Sequence, residues 1–202
     1  MQELFKTLII LFAVIDPIGT IPVFLEATKT FDQATKKRVA IKAACLAFAI
    51  LLFFIVTGQI IMEAMHISLA AFRVSGGVVL FIFSLTMVFG EGKPEEEKHM
   101  IKDHQHVVVF PLAIPSIASP GAVLAVVLLT DNHVYTVWQQ FLTTLVVLLV
   151  VACTALLLLG ARSIQDRVGE TGITVISKVM GLILASVAVE SILQGLKLYF
   201  NL

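Results

Sequence analysis

Apolar residues gather along this chain in six long stretches, parted by short polar segments. The stretches cover approximately residues 4–27, 39–61, 69–90, 107–129, 138–160 and 176–199. A helix needs roughly 20 apolar residues to cross the hydrocarbon core of a bilayer, and each stretch meets that length. Runs such as LVVLLVV do not alternate apolar and polar positions, as the strands of a membrane barrel would. The pattern therefore predicts an all-α integral membrane protein, with one transmembrane domain over residues 1–202. The first stretch does not read as a cleaved signal peptide. It runs past 20 residues, its start has no clear positive excess, and no A-x-A site follows it.

Composition strengthens this reading. The chain is 58% hydrophobic and 14% charged, with a mean hydropathy of +1.00. Soluble domains carry about a quarter charged residues. A disordered chain, a coiled coil and a nucleic-acid binder with a basic face are excluded. Two cysteines make no disulfide scaffold.

The charges number 14 of each sign, and their placement matters more than their zero sum. Only eight fall inside the stretches: Lys6, Asp16, Glu26, Lys42, Arg73, Lys178, Glu190 and Lys197. The segments after stretches 1, 3 and 5 hold Lys29, Lys36, Lys37, Arg38, Lys93, Lys98, Lys102, Arg162 and Arg167. Lysine and arginine mark the cytoplasmic side, so both termini are expected to face outward.

Two motifs recur in order, which points to a duplicated three-span unit. Stretch 1 contains I-D-P-I-G-T-I-P, with Pro17 and Pro22, and stretch 4 contains I-P-S-I-A-S-P-G-A, with Pro115 and Pro120. Stretch 3 contains R-V-S-G from Arg73, and stretch 6 contains K-V-M-G from Lys178. The prolines are offset by 98 residues and the second pair by 105, so a loop-length difference of seven is needed. Three spans is an odd number, so the copies, 1–92 and 105–202, must lie in opposite orientations. This 3+3 inverted repeat occurs in many secondary transporters.

Each proline removes a backbone donor and crowds the preceding turn. Unpaired carbonyls facing lipid are costly, so spans 1 and 4 are expected to be broken where they line a cavity or pack on protein. Proline suits the first helical position, with Asp, Ser or Thr before it, and Asp16-Pro17 and Ser119-Pro120 have that form. Half-helices are expected to begin near Pro22 and Pro120. Their positive dipole ends attract a carboxylate, and the facing helix ends offer carbonyls to a cation or ammonium. The substrate-binding set read from these segments is Asp16, Gly19, Thr20, Pro22, Ser116, Ser119, Pro120, Gly121 and Ala122. Gly19, Gly121 and Ala122 leave room for close backbone approach, which favours a small zwitterion.

Asp16 lies near mid-membrane, where a carboxylate costs roughly 2.5–3.5 kcal/mol on insertion scales. Its open roles are binding an ammonium, pairing a cation, carrying a coupling proton and capping a half-helix. Ser186, Glu190 and Gln194 share one helix face, expected to turn inward as a proton site or a hydrogen-bond network. Arg73 either snorkels to the interface or holds an acid within the bundle. Asp16, Arg73 and Glu190 are thus the candidates for coupling or gating.

His99, His104 and His106 read as a solvated loop rather than a metal site. Cys45 and Cys153 sit in plain apolar runs, as packing residues. Trp138 and Tyr199 fall at span ends, like interface anchors. Gly76, Gly77 and Gly181 are suited to close helix packing. There is no Walker motif, no H-E-x-x-H and no nucleophile elbow, so neither an enzyme nor a cofactor is expected.

D-P-I-G-T-I-P, F-R-V-S-G-G, P-L-A-I-P-S-I-A-S-P-G-A and K-V-M-G-L-I-L-A together resemble the MarC family, over nearly the whole chain. The resemblance implies six spans in a bacterial inner membrane with periplasmic termini, and broken first and fourth helices around a central site. It also implies transport of small neutral amino acids such as glycine and alanine, coupled to an ion gradient. Members often carry Asn where this chain has Asp16. The expected partners are a neutral amino acid, a coupling proton or sodium ion and the bilayer, with no nucleic acid. The rivals are an exporter of another small solute or drug, and a thiol-redox conduit that would need Cys45 and Cys153 to approach each other.

Overall fold

The computed structural model describes residues 2–90 and 104–200, and every regular element among them is helical. Helix α1 spans Gln2–Ile15, α2 Thr20–Ala27, α3 Gln33–Ala64, α4 Leu69–Phe89 and α5 His104–Val107. A wide-turned π-helical segment, Val108–Ile117, leads into α6 (Pro120–Leu129), α7 (Val137–Leu159) and α8 (Ala161–Phe200). Five spans are long and apolar enough to cross a membrane, and a sixth is made by Gln105–Ile117 with Pro120–Leu129 across a 56° bend. All six apolar stretches thus become helical spans.

Local chemistry sets the helix starts. Asp32 accepts the Thr35 N–H at 3.3 Å to cap α3, and Ser68 accepts the Ala71 N–H at 3.2 Å to cap α4. Hydrogen bonds from Thr35 hold the Asp32 carboxyl below its usual range. Thr136 and Gln139 form a capping box on α7. The segment before the sixth stretch is not a loop, because α8 begins at Ala161. Its opening residues are polar, and the helix is interrupted at Gly169, where φ is 73°.

The core lies among α1, α3, α6 and α7, where Ala40, Ala43 and Ala47 are fully buried. Helices α4 and α8 pack mainly against each other, antiparallel, through glycines. A Cβ on Gly77 would meet Ile192 Cγ1 at 2.6 Å and the Ala188 carbonyl at 2.8 Å. A Cβ on Gly181 would meet Met87 Cβ at 2.9 Å and the Ser84 carbonyl at 3.1 Å. Gly195 likewise sits 2.9 Å from the Ala70 carbonyl by the same measure. Backbones approach closely where no side chain intervenes. Gly76 packs on Leu124 of α6, so both expected glycine contacts fall within one chain.

Lys36, Lys37 and Arg162 line one shallow pocket, so the chain after α2 and the α7–α8 junction share a basic end. Lys93, Lys98, Lys102 and His99, also expected in polar segments, lie outside the described residues.

Candidate functional site

Two helix breaks meet in the core with the same hydrogen-bond spacing, although Asp16 is left-handed and Ser119 is extended. At the first, Asp16 is 2% exposed and adopts φ 47°, a left-handed conformation that turns the chain. Its Oδ1 accepts the Gly19 N–H at 3.0 Å, and its carbonyl accepts the Thr20 N–H at 3.1 Å. At the second, Ser119 is fully buried; its Oγ accepts the Ala122 N–H at 3.0 Å and its carbonyl the Val123 N–H at 2.9 Å. Each capping side chain thus takes the N–H three residues on, and each carbonyl takes the one four residues on. The Ser119 hydroxyl also donates to the Val14 carbonyl at 3.4 Å, which joins the two breaks.

The first half-helix begins at Thr20, two residues before Pro22 and so near it as expected. Pro22 is the third residue of α2, and the turn that leads into it opens at Asp16-Pro17, where Asp16 Oδ1 accepts the N–H of Gly19, the N-cap residue of α2. The matching dipeptide in span 4 is Ser119-Pro120, and Pro120 does open α6. The two side chains that accept these N–H groups, Asp16 and Ser119, stand 103 residues apart. Gly77 and Gly181, which pack across α4 and α8, stand 104 residues apart.

The remaining predicted residues gather around these caps. Thr20 is fully buried and its hydroxyl donates to the Asp16 carbonyl at 3.0 Å. Pro17 and Gly121 are buried, and a Cβ on Gly121 would meet Leu80 and Val14 at 3.1 and 3.2 Å. Ala122 and Ser116 are fully buried. Pro115 is half-buried within Val108–Ile117, whose winding is interrupted by extended backbone at Phe110 and Ile114. Pro120 is exposed toward an apolar cavity of about 190 Å³ lined by Phe54, Gly58, Met62, Phe72 and Val127.

Glu190 and Arg73 do not join the site. Ser186, Glu190 and Gln194 are exposed on the outer face of α8, contrary to the expected inward turn. The face that packs on α4 is the small one, with Gly181, Ala188 and Gly195, and this rotates the polar face outward. Arg73 reaches Glu190 only through an intermediary: its Nη1 donates to Gln194 Oε1 at 3.3 Å, and Gln194 Nε2 donates to Glu190 Oε1 at 2.7 Å.

Ser177 and Asp131 are site candidates that sequence reasoning missed. Ser177 Oγ and Asp16 Oδ2 both stand over Gly19, the former 2.7 Å from where its Cβ would be and the latter closer still. Asp131 is fully buried beyond α6, its Oδ1 accepting the His133 N–H at 2.8 Å. Nothing in the local sequence marks Ser177, which depends on contact with a distant segment at Gly19, whereas the bonds to Asp131 come from its own turn.

Among the described residues, no cluster of His, Cys, Asp and Glu is placed to hold a metal ion. His106 is exposed, and His99 and the His104 side chain lie outside the described residues. Cys45 and Cys153 are free, and Cys45 is exposed. Trp138 and Tyr199 are 66% and 67% exposed, as interface anchors are.

Comparison with known proteins agrees with this architecture. Residues 1–200 match the MarC family integral membrane proteins. A UPF0056 membrane protein of Methanocaldococcus jannaschii is 34% identical, covering 93% of this chain and 92% of its own. The UPF0056 membrane protein YvbG of Bacillus subtilis is 36% identical, covering 93% and 90%. A relative from Pyrococcus horikoshii is 33% identical over the full length of both chains. No solved structure matches. With six apolar helical spans, two broken by proline, and a match over nearly its whole length, the chain belongs to the MarC family of integral membrane proteins.

Proposed function

We propose that the protein is a secondary transporter of small neutral amino acids, of the glycine and alanine class, across the bacterial inner membrane. The observation that carries this reading is the pair of capped breaks, buried and joined by the Ser119–Val14 hydrogen bond. The breaks bring the positive dipole ends of α2 and α6 into the core, where they favour a carboxylate. Asp16 faces the substrate's ammonium. The small residues Gly19, Gly121 and Ala122 restrict the substrate to a short side chain.

Transport proceeds by alternating access, with units 1–92 and 105–202 rocking about the breaks as an inverted repeat. Near-constant offsets support that division: 103 residues between caps and 104 between the packed glycines. The hydroxyls of Thr28 and Thr130, at the far ends of α2 and α6, also match, each bonding the carbonyl four residues back. The basic end faces the cytoplasm and both termini the periplasm. A proton or sodium gradient drives the cycle.

The test is uptake of radiolabelled alanine into proteoliposomes under imposed proton and sodium gradients. Flux that rises with one gradient is expected. Absence of alanine and glycine flux under every gradient overturns the reading.

A further inference from the structure

Ser177 reaches the first break from α8, and its hydroxyl behaves differently from its neighbours. Thr174 and Ser186, on the same helix, donate to carbonyls four residues back at 2.9 and 3.2 Å. Ser177 is 6% exposed and its Oγ has no hydrogen-bond partner. That oxygen stands over Gly19, 2.7 Å from the position a Cβ would take, and Asp16 Oδ2 lies against the same point. Asp16 Oδ1 is already engaged by the Gly19 N–H, and the Thr20 hydroxyl by the Asp16 carbonyl. Among the described residues, no salt bridge joins Asp16 to a basic side chain.

A buried hydroxyl left unpaired is costly, and so is a carboxylate withdrawn from water. Two such oxygens converging from different elements are the ligands a positive group requires. We propose that Asp16 Oδ2 and Ser177 Oγ form a subsite for a small monovalent cationic group, either a primary ammonium or a sodium ion. With an ammonium, the subsite rests on the transporter reading and identifies a second residue that recognises the substrate; with sodium, it stands apart from substrate identity. In both cases the occupant ties α8 to the break between α1 and α2. Glycine at position 19 keeps the approach open.

The test uses the full chain in nanodiscs, with binding read from thermal unfolding against concentration. The probes are alanine, methylammonium chloride, sodium chloride and, as a bulky control, choline chloride. Wild type is expected to be stabilised by alanine and methylammonium, or by sodium, but not by choline. Ser177→Ala should raise the Kd for the stabilising probe about tenfold or more, as loss of a hydrogen bond to a charged group does. The same variant without probe should be at least as stable as wild type, because it removes an unpaired buried hydroxyl. Thr174→Val, one turn away, should leave the Kd unchanged. Stabilisation by sodium alone would keep the subsite and remove the ammonium from Asp16. Alanine binding that Ser177→Ala leaves intact would remove the subsite and spare the transporter reading. Absence of stabilisation by any small cation, or marked loss of stability in unliganded Ser177→Ala, would overturn the proposal.

Discussion

At the scale of single residues, the site is organised by Ser119, which caps α6, and Asp16, which closes the turn before α2. Removing the Ser119 hydroxyl leaves the Ala122 N–H and the Val14 carbonyl without it. Ser119→Ala should therefore cost about 1–2 kcal/mol, measurable as a lower Tm. Asp16→Asn keeps an acceptor for the Gly19 N–H and should fold as wild type. Its expected effect is on the gradient dependence of alanine flux, and an unchanged dependence would show that the charge serves neither coupling nor substrate. Gly19→Ala places a methyl group against Asp16 Oδ2 and Ser177 Oγ. Overpacking of that kind costs about 1–3 kcal/mol, so both Tm and flux should fall.

At the scale of elements, helix α8 shows how packing overrides sequence pattern. Its polar residues Ser186, Glu190 and Gln194 form one face, which a lone helix in lipid would turn toward protein. Its glycines form another, and the close contact of Gly77 and Gly181 across α4 and α8 takes precedence. Replacing either Gly77 or Gly181 with leucine should force the pair apart. The two contacts are near-reciprocal, so the two variants should lose stability by similar amounts, about 1–3 kcal/mol or more. Thermal unfolding of both in one detergent checks this. A large loss in one and none in the other would contradict the reciprocity. The first span runs on across its break, whereas the fourth bends by 56°. Pro111, Pro115 and the wide-turned segment between α5 and α6 accompany that larger bend.

At the scale of the whole molecule, charge distribution sets the orientation. Lys36, Lys37 and Arg162 meet at one end. At the other, Glu3, Arg73 and Asp131 lie near enough to Tyr135 to act on its hydroxyl, which burial pushes up. Reporter fusions at the two termini should therefore give the same periplasmic signal, and a cysteine introduced near Lys36 should label only from the cytoplasm. Opposite signals from the two termini would require an odd number of spans and would dismantle the repeat.

Much of this architecture was readable along the chain. Transfer of some 20 apolar residues from water to hydrocarbon outweighs local preferences, so all six spans emerged from hydropathy. Proline and its preceding caps marked both breaks, because a missing donor and a fixed φ act locally. Tertiary structure alone decided three matters. It placed a left-handed turn at Asp16, four residues before α2 begins at Thr20. It rotated α8 so that Glu190 faces outward, because glycine packing on α4 governs that rotation. It brought Ser177 over Gly19, joining residues more than 150 positions apart. Hydropathy acts one segment at a time, whereas rotation and approach depend on the surfaces of two segments together.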